Sequence, residues 1–133
     1  MAAEFASTAR YAVDEPNGYG WSATIGDDAI AWHMGLDEWG WNARGCSSHY
    51  LAAEFAQGTV ADAITDGQVR AFALFVRLAA VRWPKMPLYW PTHAELDGTA
   101  LYGQFDGKSD VFPRSDARAN ELRARIMARL ATA

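Results

Sequence analysis

Three histidines, His33, His49 and His93, are the imidazoles available to this chain, and a single cysteine, Cys46, is its one thiol. A catalytic zinc takes three protein ligands and leaves a fourth position open; a His-only site would use all three imidazoles, and otherwise imidazole is mixed with carboxylate or thiolate. His93 directly follows a run expected to be a buried strand, where a side chain is held rigidly. Seventeen residues further on stands Gly107-Lys108-Ser109-Asp110. A loop returning to the strand end sets Asp110 beside His93 around one metal ion. Lys108, two residues earlier, then directs its ammonium at a reacting carbonyl. Zinc and ammonium together would stabilise an oxyanion there. Taken singly, His93 reads as a structural histidine and Gly-Lys-Ser-Asp as an ordinary turn. The lysine carries more information, because Lys85 and Lys108 are the chain's two lysines.

These residues need elements to hold them. Residues 1–7 read as the end of an Ala-rich helix and 10–13 as a short strand, closed by the turn-forming Asp14-Glu15-Pro16-Asn17-Gly18. Short strands are expected at 21–25, 29–32 and 50–55. Residues 34–48, rich in Gly, Trp, Asn and Ser, form a long loop. Thr65-Asp66-Gly67-Gln68 is a capping box, in which Thr and Gln side chains satisfy each other's free backbone N–H. Val69, Phe72, Leu74, Phe75, Val76 and Leu78 then recur at helical spacing as far as Trp83, where Pro84 and Pro87 stop the helix. Residues 88–90 read as a last buried strand and 94–113 as an aperiodic loop. A final helix, capped by Ser115 or Asp116, carries Leu122, Ile126 and Leu130 on one stripe and Arg118, Arg125 and Arg129 on another. Short strands with two clear helices predict an α/β (α+β mixed) layered fold in one domain, 1–133.

Composition excludes several classes. Sixteen acidic residues against twelve basic ones, net charge −4, argue against a nucleic-acid binder, which usually shows a dominant basic face. One cysteine excludes an internal disulfide. No apolar run is long enough to insert into a membrane, and no signal peptide opens the sequence, so synthesis in the cytoplasm is expected. The chain holds six Trp. Trp39 and Trp41, in the polar loop, fit either a sugar or peptide groove or simple packing.

Five segments, in order, resemble the zinc N-acetylmuramoyl-L-alanine amidases, the superfamily of phage endolysins and peptidoglycan recognition proteins. Thr92-His93-Ala94-Glu95-Leu96, then Gly107-Lys108-Ser109-Asp110 and Pro113, resemble its closing Gly-His-x-Asp and Lys-x-Asp-Pro pattern. Ala31-Trp32-His33-Met34-Gly35 is similar to Ala-Trp-His-Ala-Gly. Tyr50-Leu51-Ala52-Ala53-Glu54 is similar to a Ser-Ile-Gly-Ile-Glu strand, and Thr65 to Gln68 to the Thr-x-x-Gln that starts the family's long helix. Thr8-Ala9-Arg10-Tyr11 is similar to a Ser-x-His-Tyr strand, with Arg10 in place of the histidine.

The resemblance implies a central mixed sheet flanked by helices, a groove over one zinc ion, and hydrolysis of the amide between muramic acid and the first L-alanine of the stem peptide. It makes His93 and Asp110 zinc ligands, Lys108 the oxyanion stabiliser and Glu54 the acid–base group. His33, Trp39 and Asn42 are the expected substrate-binding residues, Asn42 lying farther upstream than its counterpart in the family. The family's first zinc ligand is a His on an opening strand that precedes the helix read at 1–7. The chain is accordingly expected to be truncated at its N-terminus, or to use His33 as third ligand, or to be a zinc-less peptidoglycan-binding module. The expected partner is bacterial peptidoglycan, met during host-cell lysis.

Overall fold

Thr65 caps the longest helix as its sequence dictates. Its side chain accepts from the Gln68 N–H, and the Gln68 side chain accepts in turn from the Thr65 N–H. The helix, α2, spans Asp66–Arg82. The computed structural model describes residues 2–14, 20–38, 43, 50–59 and 61–132, with backbone alone at 2, 3 and 12–14. Around α2 stand helix α1 (Ala2–Asp14), strands β1 (Ala23–Gly26), β2 (Ala29–Trp32) and β3 (Ala53–Phe55), a single-turn helix α3 (His93–Leu96) and helix α4 (Ala117–Ala131).

The sheet is mixed, in the order β2-β1-β3. β1 runs antiparallel to β2, with Thr24 opposite Ala31, and parallel to β3, with Thr24 beside Glu54. Successive side chains alternate faces. Ile25 and Phe55 therefore point one way with Trp32, onto α2, where Phe55 meets Phe72 at 5.2 Å and Trp32 meets Phe75 at 5.5 Å between ring centroids. Thr24, Gly26 and Glu54 point the other way. α1 crosses that face so closely that a Cβ on Gly26 would lie 2.7 Å from the Phe5 ring, which leaves room for glycine alone. The sheet is thus a middle layer between two helices.

Gln68 explains why the cap matters beyond the helix. Its side chain is fully buried, and its amide donates to the carbonyls of Ile25 and Ala56. One residue thereby starts α2 and ties the ends of β1 and β3 together. On α4, Leu122 and Ile126 enter the core beside Phe72 and Val76. The opposite arginines do not simply face solvent. Arg125 donates to the Ile64 carbonyl and pairs with Asp66, while Arg118 pairs with its cap, Asp116, and donates to the Ala61 carbonyl.

Three expectations about elements are corrected. Residues 10–13 continue α1 rather than forming a strand, since no helix breaker precedes Pro16. The segment compared with the family's Ser-x-His-Tyr strand is consequently helical. Among the described residues, 88–90 pair with no strand. Leu88 and Tyr89 are 53% and 64% exposed, and flanking prolines at 87 and 91 limit the donors a ladder needs. Only Trp90 turns inward, edge-on against Phe72. Lastly, the region read as loop from 94 opens with α3, so His93 begins a helical turn instead of ending a strand.

Candidate functional site

The segment carrying His93 is built by a second capping box. Thr92 accepts from the Glu95 N–H, and Glu95 accepts from the Thr92 N–H at 2.8 Å. Arg123 of α4 grips the Glu95 carboxylate with two nitrogens, at 2.7 and 2.9 Å, and also donates to the Trp90 carbonyl. Glu95, inside the motif resembling Gly-His-x-Asp, therefore anchors the turn to the body of the protein. Its carboxyl sits below the ordinary range because Arg123 stabilises the charge.

The chain then makes a closed excursion and returns. Asp97 is fully buried and accepts from the backbone N–H groups of Asp106 and Lys108, both at 2.7 Å. Burial opposes its charge, but those donors outweigh the penalty, and its carboxyl titrates below the usual value. Arg114, just past the return, donates to the carbonyls of Ala94, Glu95 and Asp97 at the exposed end of α3. The Asp110 carbonyl accepts from the Ala94 N–H at 2.9 Å. With both backbones pinned, the side chains of His93 and Asp110 meet: Nδ1 lies 3.1 Å from Oδ2.

The other ring nitrogen of His93, Nε2, lies 3.1 Å from the hydroxyl of Tyr102, which donates to Asp106 at 3.0 Å. Burial raises the Asp110 carboxyl, yet the imidazole of His93 and the charge of Lys108 outweigh it, and Asp110 stays below the usual range. Glu54 behaves oppositely. Burial, then the negative charge of Asp110, pushes its carboxyl up to about 8. Glu54, His93, Lys108 and Asp110 all line one cleft of about 1320 Å³, with Tyr50 and Tyr89 among its walls.

Of the expected site residues, the fold brings these four together. His33 does not line that cleft, although it bonds Thr24, the neighbour of Glu54 in the sheet. Its Nε2 lies 2.7 Å from the Thr24 hydroxyl, which accepts from the Trp21 indole N–H at 2.8 Å, and burial lowers its pKa. It lines a shallow apolar groove with Trp32, Leu36 and Leu78. Trp39 and Asn42 lie outside the described residues, as do Trp41, Cys46 and His49. The residues that sequence reasoning missed are Asp97, Tyr102 and Asp106. All three lie in the stretch read as an aperiodic loop, and nothing local distinguishes a buried loop carboxylate from a solvated one.

Two protein atoms, each about 2.0–2.2 Å from a tetrahedral zinc, stand roughly 3.3–3.5 Å apart. The 3.1 Å between His93 Nδ1 and Asp110 Oδ2 is a hydrogen-bond distance, and the pair would have to part by a few tenths of an ångström to occupy two corners of such a site. Among the described residues, no group of three His, Cys, Asp or Glu side chains stands together as a metal cage. No family model matches the chain, and no curated protein or solved structure matches it.

Proposed function

We propose that this chain is a zinc-dependent peptidoglycan amidase domain of the phage-endolysin type, which hydrolyses the bond between N-acetylmuramic acid and the first L-alanine of the stem peptide. The observation that carries the reading is the meeting of His93 and Asp110 across a seventeen-residue separation, in a cleft shared with Glu54 and Lys108. His93 and Asp110 would hold the ion. Zinc, when bound, supplies Lewis acidity toward water and a carbonyl oxygen.

The remaining chemistry belongs to the protein. Glu54, with a carboxyl near neutrality, is poised to take a proton from the attacking water and return it to the departing alanine nitrogen. Lys108 presents a fixed positive charge to the carbonyl oxygen as it becomes anionic. The aromatic walls at Tyr50 and Tyr89 suit sugar or lactyl-peptide faces. Water's oxygen goes to the lactyl carbonyl carbon, the C–N bond breaks, and free L-alanine-terminated peptide leaves.

The test is direct. Purified protein incubated with cell wall and zinc should bind about one equivalent of metal and release peptides with a new alanine amino terminus, read by mass spectrometry. A chelator should abolish the release. Sedimentation with wall, no release and indifference to chelator would instead mark a binding module of the same architecture.

A further inference from the structure

The hydroxyl of Tyr102 is buried, carries one hydrogen, and lies 3.0 Å from a carboxylate oxygen of Asp106 and 3.1 Å from Nε2 of His93. A carboxylate can only accept, so the hydroxyl hydrogen goes to Asp106. The Tyr102 oxygen then has only lone pairs to offer His93, and Nε2 must carry the proton between them. A neutral imidazole with its proton on Nε2 has its lone pair on Nδ1, and that lone pair faces Asp110 Oδ2 at 3.1 Å. Two lone pairs at this separation repel unless a cation lies between them, either a second ring proton, as in the imidazolium, or a metal ion.

From this geometry we infer that Tyr102, held by Asp106, is a positioning residue that locks His93 in the Nε2–H form and turns Nδ1 toward a divalent metal shared with Asp110. The inference rests on the amidase reading for its metal, but the lock itself belongs to the protein without metal. Ligating histidines are commonly oriented through their second nitrogen, and loss of such a partner weakens metal binding by about 10–100-fold. Here the partner is a neutral phenol backed by a carboxylate, a relay of three side chains from the cleft to the exposed Asp106.

The experiment uses the full chain with uniform ¹⁵N labelling and zinc alone as probe. In the metal-free protein, held at a pH where His93 is neutral, long-range ¹H–¹⁵N spectra should show His93 protonated at Nε2. On zinc addition Nδ1 should move to the metal-bound range while Nε2 keeps its proton. Tyr102→Phe preserves the ring and its packing; it should mix the two tautomers and lower zinc affinity about 10–100-fold in chelator competition. Asp106→Asn, on the exposed end of the relay, provides the second variant, and its amide should loosen the same preference. Protonation at Nδ1 in the wild type, or unchanged tautomer and affinity in folded Tyr102→Phe, would overturn the inference. If the wild type takes up no zinc, the amidase reading fails, and the metal-free spectra still decide whether Tyr102 sets the tautomer.

Discussion

Lys108 and Glu54 carry opposite expectations at the scale of single residues. Lys108 is exposed and fastened by its backbone N–H to Asp97, a bond its side chain does not share. Lys108→Ala should therefore leave melting unchanged while lowering kcat for wall hydrolysis by about 100-fold or more, the usual effect of losing one oxyanion donor. Equal kcat in the folded variant would remove it from the mechanism. Glu54 has a stability signature. In the metal-free folded protein its carboxyl titrates at about 8, against 4.5 ordinarily. Between those values the folded chain keeps a proton that the unfolded chain has lost, so stability falls as pH rises through the window, by at most about 1.4 kcal/mol per pH unit. Glu54→Gln abolishes this slope. The variant should match wild type near pH 4 and exceed it above pH 8, as measured by denaturant unfolding in chelator; parallel pH profiles would deny Glu54 its raised value. Legibility differed among these residues. The rarity of lysine marked Lys108, and the resemblance of residues 50–54 to the amidase glutamate strand marked Glu54. The raised pKa of Glu54 was not legible, since it comes from burial and from Asp110, 56 positions away in sequence.

Capping boxes organise the element scale. Thr65 and Gln68 were readable because a cap is a local event: four consecutive residues satisfy their own backbone donors. What was not readable is that Gln68 also bridges Ile25 and Ala56, 43 and 12 positions away. Gln68→Ala removes the amide, takes the side-chain donor from the Ala56 carbonyl and leaves the Ile25 carbonyl with the Ala56 N–H alone, so it should cost about 2–4 kcal/mol in denaturant unfolding. A loss below 1 kcal/mol, roughly one ordinary hydrogen bond, would mean that water replaces the amide. The excursion from α3 to Asp110 depends on Asp97 in the same way. Asp97→Ala should speed hydrogen exchange at the Asp106 and Lys108 amides while exchange within α2 stays unchanged. If these amides keep their protection, Asp97 does not hold the loop. The strands expected at 10–13 and 88–90 failed for a common reason. A strand exists only where a neighbour supplies its ladder, and both segments were judged on composition alone.

At the scale of the whole molecule, the mixed sheet between α1 and α2 agrees with the class read from alternating short strands and helices. Among the described residues no helix is long and apolar enough to cross a membrane. The pairing of His93 with Asp110 is also a whole-molecule property. It requires α4 to hold Glu95 through Arg123, and Arg114 to close the carbonyl end of α3. Arg123→Ala, remote from the chemistry, should therefore reduce zinc affinity more than it lowers the melting temperature of the metal-free protein. Equal affinity in chelator competition would show that α3 is positioned without α4. Sequence spacing proposed that a loop returns; it contained no information on the contacts that close it.

One peptide separates the two kinds of information. Ala-Ala-Glu-Phe-Ala occurs at 2–6 and again at 52–56. Caps, turn residues and hydrophobic period, all local, determined where α2 and α4 lie and which of their faces are apolar. The repeated peptide obeys no such local rule: it is helix at 2–6 and contains strand β3 at 52–56. The second copy lies beside β1, whose backbone supplies the partners a strand needs, whereas the first closes its own hydrogen bonds along α1. The same division separates Glu4, a carboxylate on α1 with a lowered pKa, from Glu54, turned into the cleft and held near neutrality by burial and Asp110. Identical neighbours in sequence produced different acids, because hydration and nearby charge are set by the tertiary surroundings.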